Sequence, residues 1–213
     1  MEMKKVEMDK KEILKHIKER ALQEHVPILQ DESLELILMV LRLHQPKKIL
    51  EIGTAVGYSA IQFASCLETV GSNITTIELK ENMYEQAVNN ITAMGLQDRI
   101  EVIHANACEY LETLEEDTYD AIFIDAAKGQ YMVFLQHALR CIRDGGVIIA
   151  DNVLFKGRTL GGYNEHKHRT ATNRLREYLA EIEENEHLTS TLVKVGDGVA
   201  ISIYQENIDT AKK

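Results

Sequence analysis

Five short apolar runs recur between Lys48 and Asp151, and a helical pattern follows each of the first four; this repeat constrains the fold more than any other feature. The runs are Lys48 to Ile52, Ile74 to Ile77, Ile100 to His104, Ala121 to Asp125 and Val147 to Asp151. Helical spacing fills the intervals, through Leu67, from Glu81 to Met94, to about Leu114, and from Tyr131 to Ile142. A strand that returns parallel to its neighbour needs a crossover of this kind, so the repeat predicts a doubly wound parallel sheet. Near the end, Thr191 to Val195 and Val199 to Tyr204 flank Gly196-Asp197-Gly198, the pattern of a β-hairpin, after a helix from Ala171 to Glu184. Ahead of the first strand stand two amphipathic helices. Lys10 to Glu24 carries Ile13, Leu14 and Ile17 on one face, and a second helix, capped by Asp31 or Ser33, carries Leu34, Ile37, Leu38 and Leu41. The expectation is an α/β, Rossmann-like doubly wound sheet, mostly parallel with an antiparallel C-terminal hairpin strand, plus N-terminal helices. It forms one domain over residues 1–213, with residues 1–45 as a helical cover and residues 206–213 as a tail.

Composition narrows the class. The longest apolar run falls well short of the roughly 20 residues of a membrane span, and MEMKKVEMDKKE lacks the apolar core of a secretory signal. Three cysteines, Cys66, Cys108 and Cys141, are odd in number and lack metal-type spacing, which fits free thiols in a reducing cytoplasm. A net charge of −10 argues against a chain that coats nucleic acid indiscriminately, though not against a local basic patch.

Two of the strand runs end abruptly in acid. Ile122-Phe123-Ile124 leads into Asp125, and Val147-Ile148-Ile149 leads through Ala150 into Asp151-Asn152. If these strands are parallel neighbours, Asp125, Asp151 and Asn152 emerge together at the carboxyl edge of the sheet, where ligands of open α/β sheets bind. Two carboxylates and one amide oxygen are hard donors suited to Mg²⁺. Lys128 follows one short turn after Asp125, within reach of whatever such an ion holds. An acid at a strand end is alone more often a helix cap; two such ends with an asparagine and a lysine favour a site.

The first strand leads into Glu51-Ile-Gly53-Thr-Ala-Val-Gly57. Its glycines allow a tight turn and close approach of a ligand, but the central glycine of the dinucleotide fingerprint is missing, which disfavours a dehydrogenase, and no Gly-Lys-Ser/Thr follows as in a phosphate loop. Glu78 ends the second strand some distance on, where an acid accepts the hydroxyls of a ribose. Together they imply a nucleoside-bearing cofactor with no pyrophosphate to cradle.

The segments EIGTAVGYS, IEL, IDAAKGQY, ADNVLFKG and VGDGVAIS, in this order, resemble the cation-dependent O-methyltransferases of the catechol O-methyltransferase type, which are class I S-adenosylmethionine enzymes. The likeness runs from about Val26 to Ser202. Within that family, HVPI, PKKILEIGTAVGYSAI, EQAVNNI and DNVLFKG look most like the bacterial tRNA 5-hydroxyuridine methyltransferases. The resemblance implies that Asp125, Asp151 and Asn152 hold Mg²⁺, that Asp125 also neighbours the methionine amino group, and that Glu78 binds the cofactor ribose. It further implies that Gly53 and Ser59 hold the methionine carboxylate end, that Val26 closes over the cofactor, that Asn106 and Ala107 border the adenine, and that Lys128 is the general base. Relatives commonly carry aspartate where this chain has Asn106, so cofactor affinity is the property this departure touches. A homodimer and a cytoplasmic setting, without membrane, are the family expectations.

The resemblance implies an acceptor oxygen beside a second oxygen, a pattern shared by catechols and by 5-hydroxyuridine. Between Lys156 and Arg176, six basic side chains stand against Glu165 alone, a charge of +5 that leaves −15 for the rest of the chain. Such concentration directly after the metal-type residues is what a phosphate-binding rim beside a base pocket requires. The expected RNA contacts are Arg158, Lys167, Arg169 and Arg174, with Phe155 or Tyr163 available to stack on a base. The preferred reading is Mg²⁺-dependent methylation of 5-hydroxyuridine at the wobble position of the tRNA anticodon loop, giving 5-methoxyuridine. The alternatives are O-methylation of small catechols or phenolics, and a non-catalytic nucleotide- or RNA-binding module.

Overall fold

The computed structural model describes residues 2–68, 70–161 and 168–207, with side chains from Lys10 onward. Helices α1 (Glu2–Gln23) and α2 (Asp31–His44) precede a sheet of seven strands. The strands are β1 (Lys48–Ile52), β2 (Asn73–Glu78), β3 (Ile100–His104), β4 (Tyr119–Ile124), β5 (Ile142–Ala150), β6 (Leu188–Val193) and β7 (Val199–Tyr204). Between them lie α3 (Tyr58–Cys66), α4 (Glu81–Ala93), α5 (Ala107–Glu112), α6 (Tyr131–Cys141) and α7 (Arg169–Glu184). The spatial order is β3-β2-β1-β4-β5-β7-β6. All pairings are parallel except those of β7, which runs antiparallel to both β5 and β6.

Why the sheet sits inside follows from its residues. β1 and β4 are buried along nearly their whole length, as strands covered on both faces must be. Alternate side chains supply the two faces. Ile49, Phe123 and Ile149 pack with α2, α3 and α4 in one core, where Phe63 meets Phe123 edge to face at 5.2 Å. Leu50, Ile52, Ile122, Ile124 and Ile148 pack with α6 and α7 in the other. Each fully buried aliphatic side chain there contributes about 1.5–3 kcal/mol of transfer free energy.

The chain winds outward from β1 to β2 and β3, then returns to place β4 on the other side of β1. This reversal opens a crevice beyond the carboxyl ends of β1 and β4. The β1–β4 register ends with Ile52 opposite Ile124, so Gly53 and Asp125 leave the sheet side by side. Likewise Ile124 pairs with Ala150, which sets Asp151 beside Asp125.

Local detail departs from the sequence reading at several element ends, α1 beginning at Glu2 and not at Lys10. α2 is capped neither by Asp31 nor by Ser33. Gln30 is its N-cap, without a side-chain bond, while Asp31 pairs with Lys18 of α1 at 2.5 Å and Ser33 is fully buried. β5 begins at Ile142 and β6 at Leu188, both earlier than the apolar runs Val147 and Thr191, because ladder pairing with β4 and β7 extends strands through polar residues. α7 starts at Arg169, two residues before Ala171. Lys167 and Tyr163 lie outside the described residues, as does most of the 206–213 tail. No helix among the described residues is long and apolar enough to cross a membrane.

Candidate active site

A cavity of about 660 Å³ opens at the carboxyl edge of the sheet, within the range of small-ligand sites. It brings together Val26 from the α1–α2 connection, Gly53 and Ser59 after β1, Glu78 after β2, Asn106 and Ala107 after β3, Asp125 and Lys128 after β4, and Asn152 after β5. Asp151 lies beneath its floor, fully buried. Leu22, Leu29 and Gln30 add a wall from the N-terminal cover that no motif marked, since their placement depends on how α1 and α2 fold back over the sheet.

The glycine loop is required by contact with the opposite strand end. Gly53 has φ +102°, and a Cβ there would collide with the carbonyl oxygen of Asp125. Glu78 ties this loop to β2: its Oε2 accepts from the Ala55 N–H and its Oε1 from the Lys80 N–H, both at 2.8 Å. Each oxygen keeps lone pairs for a ligand in the cavity, so the carboxylate is held ready to accept two hydroxyls.

Behind the loop lies a residue the sequence reading passed over. Glu51 of β1 is fully buried; its Oε2 accepts from Thr76 Oγ1 at 2.5 Å, and Thr76 Oγ1 meets Thr54 Oγ1 at 2.6 Å. Burial pushes the Glu51 carboxyl up to about 7, against the Ser59 and Thr76 hydroxyls, which hold it down, while Asp125 and Glu78 push it further up. Ser59 nonetheless leaves Oε1 without a hydrogen-bond partner. The available signal was an acid within the apolar part of a strand, a position where glutamate is rarely fully buried unless paired.

At the other end of the cavity, Lys128 Nζ donates to Asn152 Oδ1 at 3.3 Å, and Asn152 Nδ2 donates to Asp151 Oδ2 at 2.5 Å. Tyr131, buried in the core, donates its hydroxyl to the Asp151 carbonyl at 2.8 Å and fixes that turn. Burial raises the Asp125 carboxyl, with Lys128 opposing. Burial, then the Asp125 charge, push Asp151 up to about 6, with Asn152 and Ser33 opposing. Asp151 Oδ1 is buried and has no hydrogen-bond partner. Two desolvated carboxylates that repel each other, one with an orphaned oxygen, plus an amide oxygen make a hard-donor set that a divalent cation would fit. Among the described residues no cluster of three or more His, Cys, Asp and Glu has metal-binding form; here the third donor is an amide.

The basic segment divides. Arg158 lies 4.9 Å over the Phe155 ring, on whose periphery Lys128 Nζ also lies, at 5.9 Å, and His168 meets the ring edge to face. Arg169 and Arg174 are exposed on α7, the latter paired with Glu177 at 2.7 Å. Arg176 instead turns inward and donates to the carbonyls of Arg158, Thr159 and Gly161, a structural clasp.

These features, a switch-point crevice with an acid at its β2 edge and a hard-oxygen corner, fit a site for a nucleoside-bearing cofactor. The O-methyltransferase family model matches residues 4–204, and the chain belongs to that family. A catechol O-methyltransferase of Niastella koreensis is 34% identical over 175 residues, covering 78% of this chain and 77% of that protein. Among solved structures, a Staphylococcus aureus protein provisionally named a caffeoyl-CoA O-methyltransferase superposes with TM-score 0.82 at 34% identity, over 90% of this chain and 91% of its own. An O-methyltransferase from Bacillus cereus, solved in complex with S-adenosylhomocysteine, gives TM-score 0.81 at 26% identity over 91% of both chains.

Proposed function

We propose that this protein transfers the methyl group of S-adenosylmethionine to a hydroxyl oxygen that has a second oxygen beside it. The acceptor is held at a divalent-cation corner formed by Asp125, Asp151 and Asn152. The single observation that carries the reading is the cavity itself: one continuous space joins Glu78 at the ribose end to Asp125, Lys128 and Asn152 at the reacting end. Its acidity supports the cofactor assignment, since Glu78 and Asp125 line the space. S-adenosylmethionine brings a sulfonium and an ammonium to that acidic wall, and the B. cereus neighbour was solved with the corresponding product.

The chain's own residues supply positioning. Glu78 accepts the ribose hydroxyls, the Gly53 turn and Ser59 receive the methionine end, and Val26 with Pro27 covers the cofactor and excludes water. A divalent cation, when bound, neutralises the paired aspartates and favours the deprotonated acceptor oxygen. Lys128 hydrogen-bonds Asn152 and so stands beside the acceptor position, where it takes the hydroxyl proton as the oxygen attacks the methyl carbon. The methyl–sulfur bond breaks in the same step, its electron pair going to sulfur to give S-adenosylhomocysteine.

The acceptor we favour is 5-hydroxyuridine in the tRNA anticodon loop. Support comes from the motif likeness, from Lys128 and Arg158 over the Phe155 ring with exposed Lys156 next in the chain, and from Arg169 and Arg174, exposed on α7. A looped base reaches such a site without unpairing a duplex. The 34% identity to a catechol O-methyltransferase favours a second reading, methylation of small catechols. Labelled S-adenosylmethionine with Mg²⁺ tests both: total tRNA from cells lacking the protein is compared with a simple catechol, each with and without chelator. Chelator-sensitive label recovered as 5-methoxyuridine, lowered by the paired substitutions Arg169→Ala and Arg174→Ala, is the expected result. Label in catechol alone removes the RNA assignment, and chelator-insensitive label removes the cation.

A further inference from the structure

The turn Gly196-Asp197-Gly198 between β6 and β7 grips the loop that follows β5. The Val153 N–H donates to the Gly198 carbonyl at 3.1 Å and the Leu154 N–H to the Asp197 carbonyl at 2.9 Å. The Lys156 N–H donates to the Asp197 carboxylate, at Oδ1, over 2.5 Å. Gly198 has φ +86°, and a Cβ there would stand 2.3 Å from Leu154 Cγ. The other side of the turn is seated on α2, where a Cβ on Gly196 would stand 2.5 Å from the Oγ of fully buried Ser33. Below it the β6–β7 ladder closes with Val193 opposite Val199, and the Gly198 N–H donates to the Val195 carbonyl at 2.8 Å. The turn is therefore a fixed point, and the loop conforms to it. Phe155 has φ +48°, Lys156 φ +55° and Gly157 φ +74°. Glycine takes such values freely, but two successive residues with a Cβ disfavour them and keep them only where their surroundings over-determine the backbone. The Phe155 N–H bonds within the loop, to the Asn152 carbonyl at 3.2 Å. Among the described residues, the hold on this pair from outside the loop is the Asp197 carboxylate. What the conformation presents is the Phe155 ring, with Arg158 at 4.9 Å and the Nζ of cavity-lining Lys128 at 5.9 Å from its centroid.

We propose that Asp197 is a positioning residue for the acceptor end: its carboxylate holds the left-handed Phe155-Lys156 pair and so keeps the Phe155 ring beside Lys128, as a flat wall for a planar acceptor. The inference rests on the acceptor placement proposed above. Without the carboxylate, Phe155 and Lys156 revert to right-handed or extended backbone, and the ring, one residue before the lost bond, swings away from Lys128. Lys128 keeps its bond to Asn152, so the loss falls on acceptor binding and not on proton transfer. The cofactor end is untouched, because Gly53, Ser59 and Glu78 stand on the segments after β1 and β2.

The sequence has no tryptophan, so Phe155→Trp places a single indole at the wall as a reporter. Its quenching by acrylamide is measured alone, with Asp197→Ala, with Asp197→Asn, and with Asp197→Ala and Lys156→Gly together. Asp197→Ala raises the quenching constant, whereas Asp197→Asn leaves it near the reporter's own value, since an amide oxygen still accepts from the Lys156 N–H. Adding Lys156→Gly to Asp197→Ala lowers the constant again, because glycine adopts positive φ without a Cβ penalty. A carboxylate that only stabilised the fold would show no such reversal. In the protein with Phe155 intact, Asp197→Ala raises the KM of the acceptor, total tRNA or catechol, about three- to ten-fold, the weight of one hydrogen bond. Its kcat and its Kd for S-adenosylhomocysteine stay near wild type. Unchanged quenching in Asp197→Ala, or a rise that Lys156→Gly does not reverse, overturns the hold on the loop. A reversible rise with an unchanged KM overturns the role at the acceptor end and leaves the proposed function standing. Absence of methylation in both tRNA and catechol removes the acceptor reading itself, and the wall's role with it, whatever the quenching shows.

Discussion

Glu51→Gln is the perturbation whose size the structure predicts most directly. The side chain has no solvent exposure, and burial carries its carboxyl from an ordinary 4.5 to about 7. A shift of that size corresponds to about 3 kcal/mol. The sign follows from proton uptake. Below pH ~4.5 the carboxyl is neutral in both folded and unfolded chains. Between about 4.5 and 7 the unfolded chain ionises while the folded one keeps its proton, so stability is lost as pH rises, and above 7 the loss is complete. Glutamine cannot ionise and escapes this loss. It still accepts the Thr76 bond, but it places an NH₂ where Oε1 has no hydrogen-bond partner, at a cost of about 1 kcal/mol. The variant is therefore expected to be about 1 kcal/mol less stable than wild type near pH 4.5 and about 2 kcal/mol more stable at pH 8. Urea unfolding of the cofactor-free, chelator-treated protein at several pH values measures the difference, and every other titrating group cancels between the two proteins. A difference that does not change between pH 5 and 8 would refute the argument that Glu51 is buried as a neutral acid.

Three further outcomes follow from the site. Asp151→Ala should abolish Mn²⁺ binding measured by water proton relaxation and lower turnover roughly a hundred-fold or more; retained binding removes the cation assignment. Glu78→Ala should weaken S-adenosylhomocysteine binding about ten- to a hundred-fold, by loss of charge-assisted bonds to two hydroxyls, and an unchanged Kd would sink the ribose role. Gly53→Ala should cost about 1–3 kcal/mol or more, because the residue has φ +102° and its Cβ would strike the Asp125 carbonyl; a thermal midpoint equal to wild type would contradict that packing.

The winding of the sheet was legible from sequence because its physical cause is local. Strands buried on both faces must be continuously apolar, and parallel strands must be spaced by helical crossovers, so runs such as Ile122-Phe123-Ile124 and Val147-Ile148-Ile149 announce themselves. The strand-end acids were legible for the same reason, since polarity breaks where the chain leaves the core. Strand starts were not. Ile142 to Gly146 joins β5 although Asp144 and both glycines argue against it, because pairing with a neighbouring strand overrides propensity. The cap of α2 was misplaced because Asp31 turns its carboxylate to Lys18 on the neighbouring helix α1. Arg176 read as part of a basic rim, yet its guanidinium is spent on three carbonyls.

The sequence by itself determined the order of elements, the glycine turn, and which residues stand at the carboxyl edge, since each follows from periodicity along the chain. Only the tertiary structure decided that Glu51 belongs behind the cavity, that Asp151 Oδ1 is left without a partner, and that the Asp197 carboxylate takes the Lys156 N–H. The first two depend on desolvation and on neighbours from other strands and helices. The third depends on side-chain geometry that residue spacing does not specify. Periodicity records which side of an element faces the core, but not which polar atoms meet there.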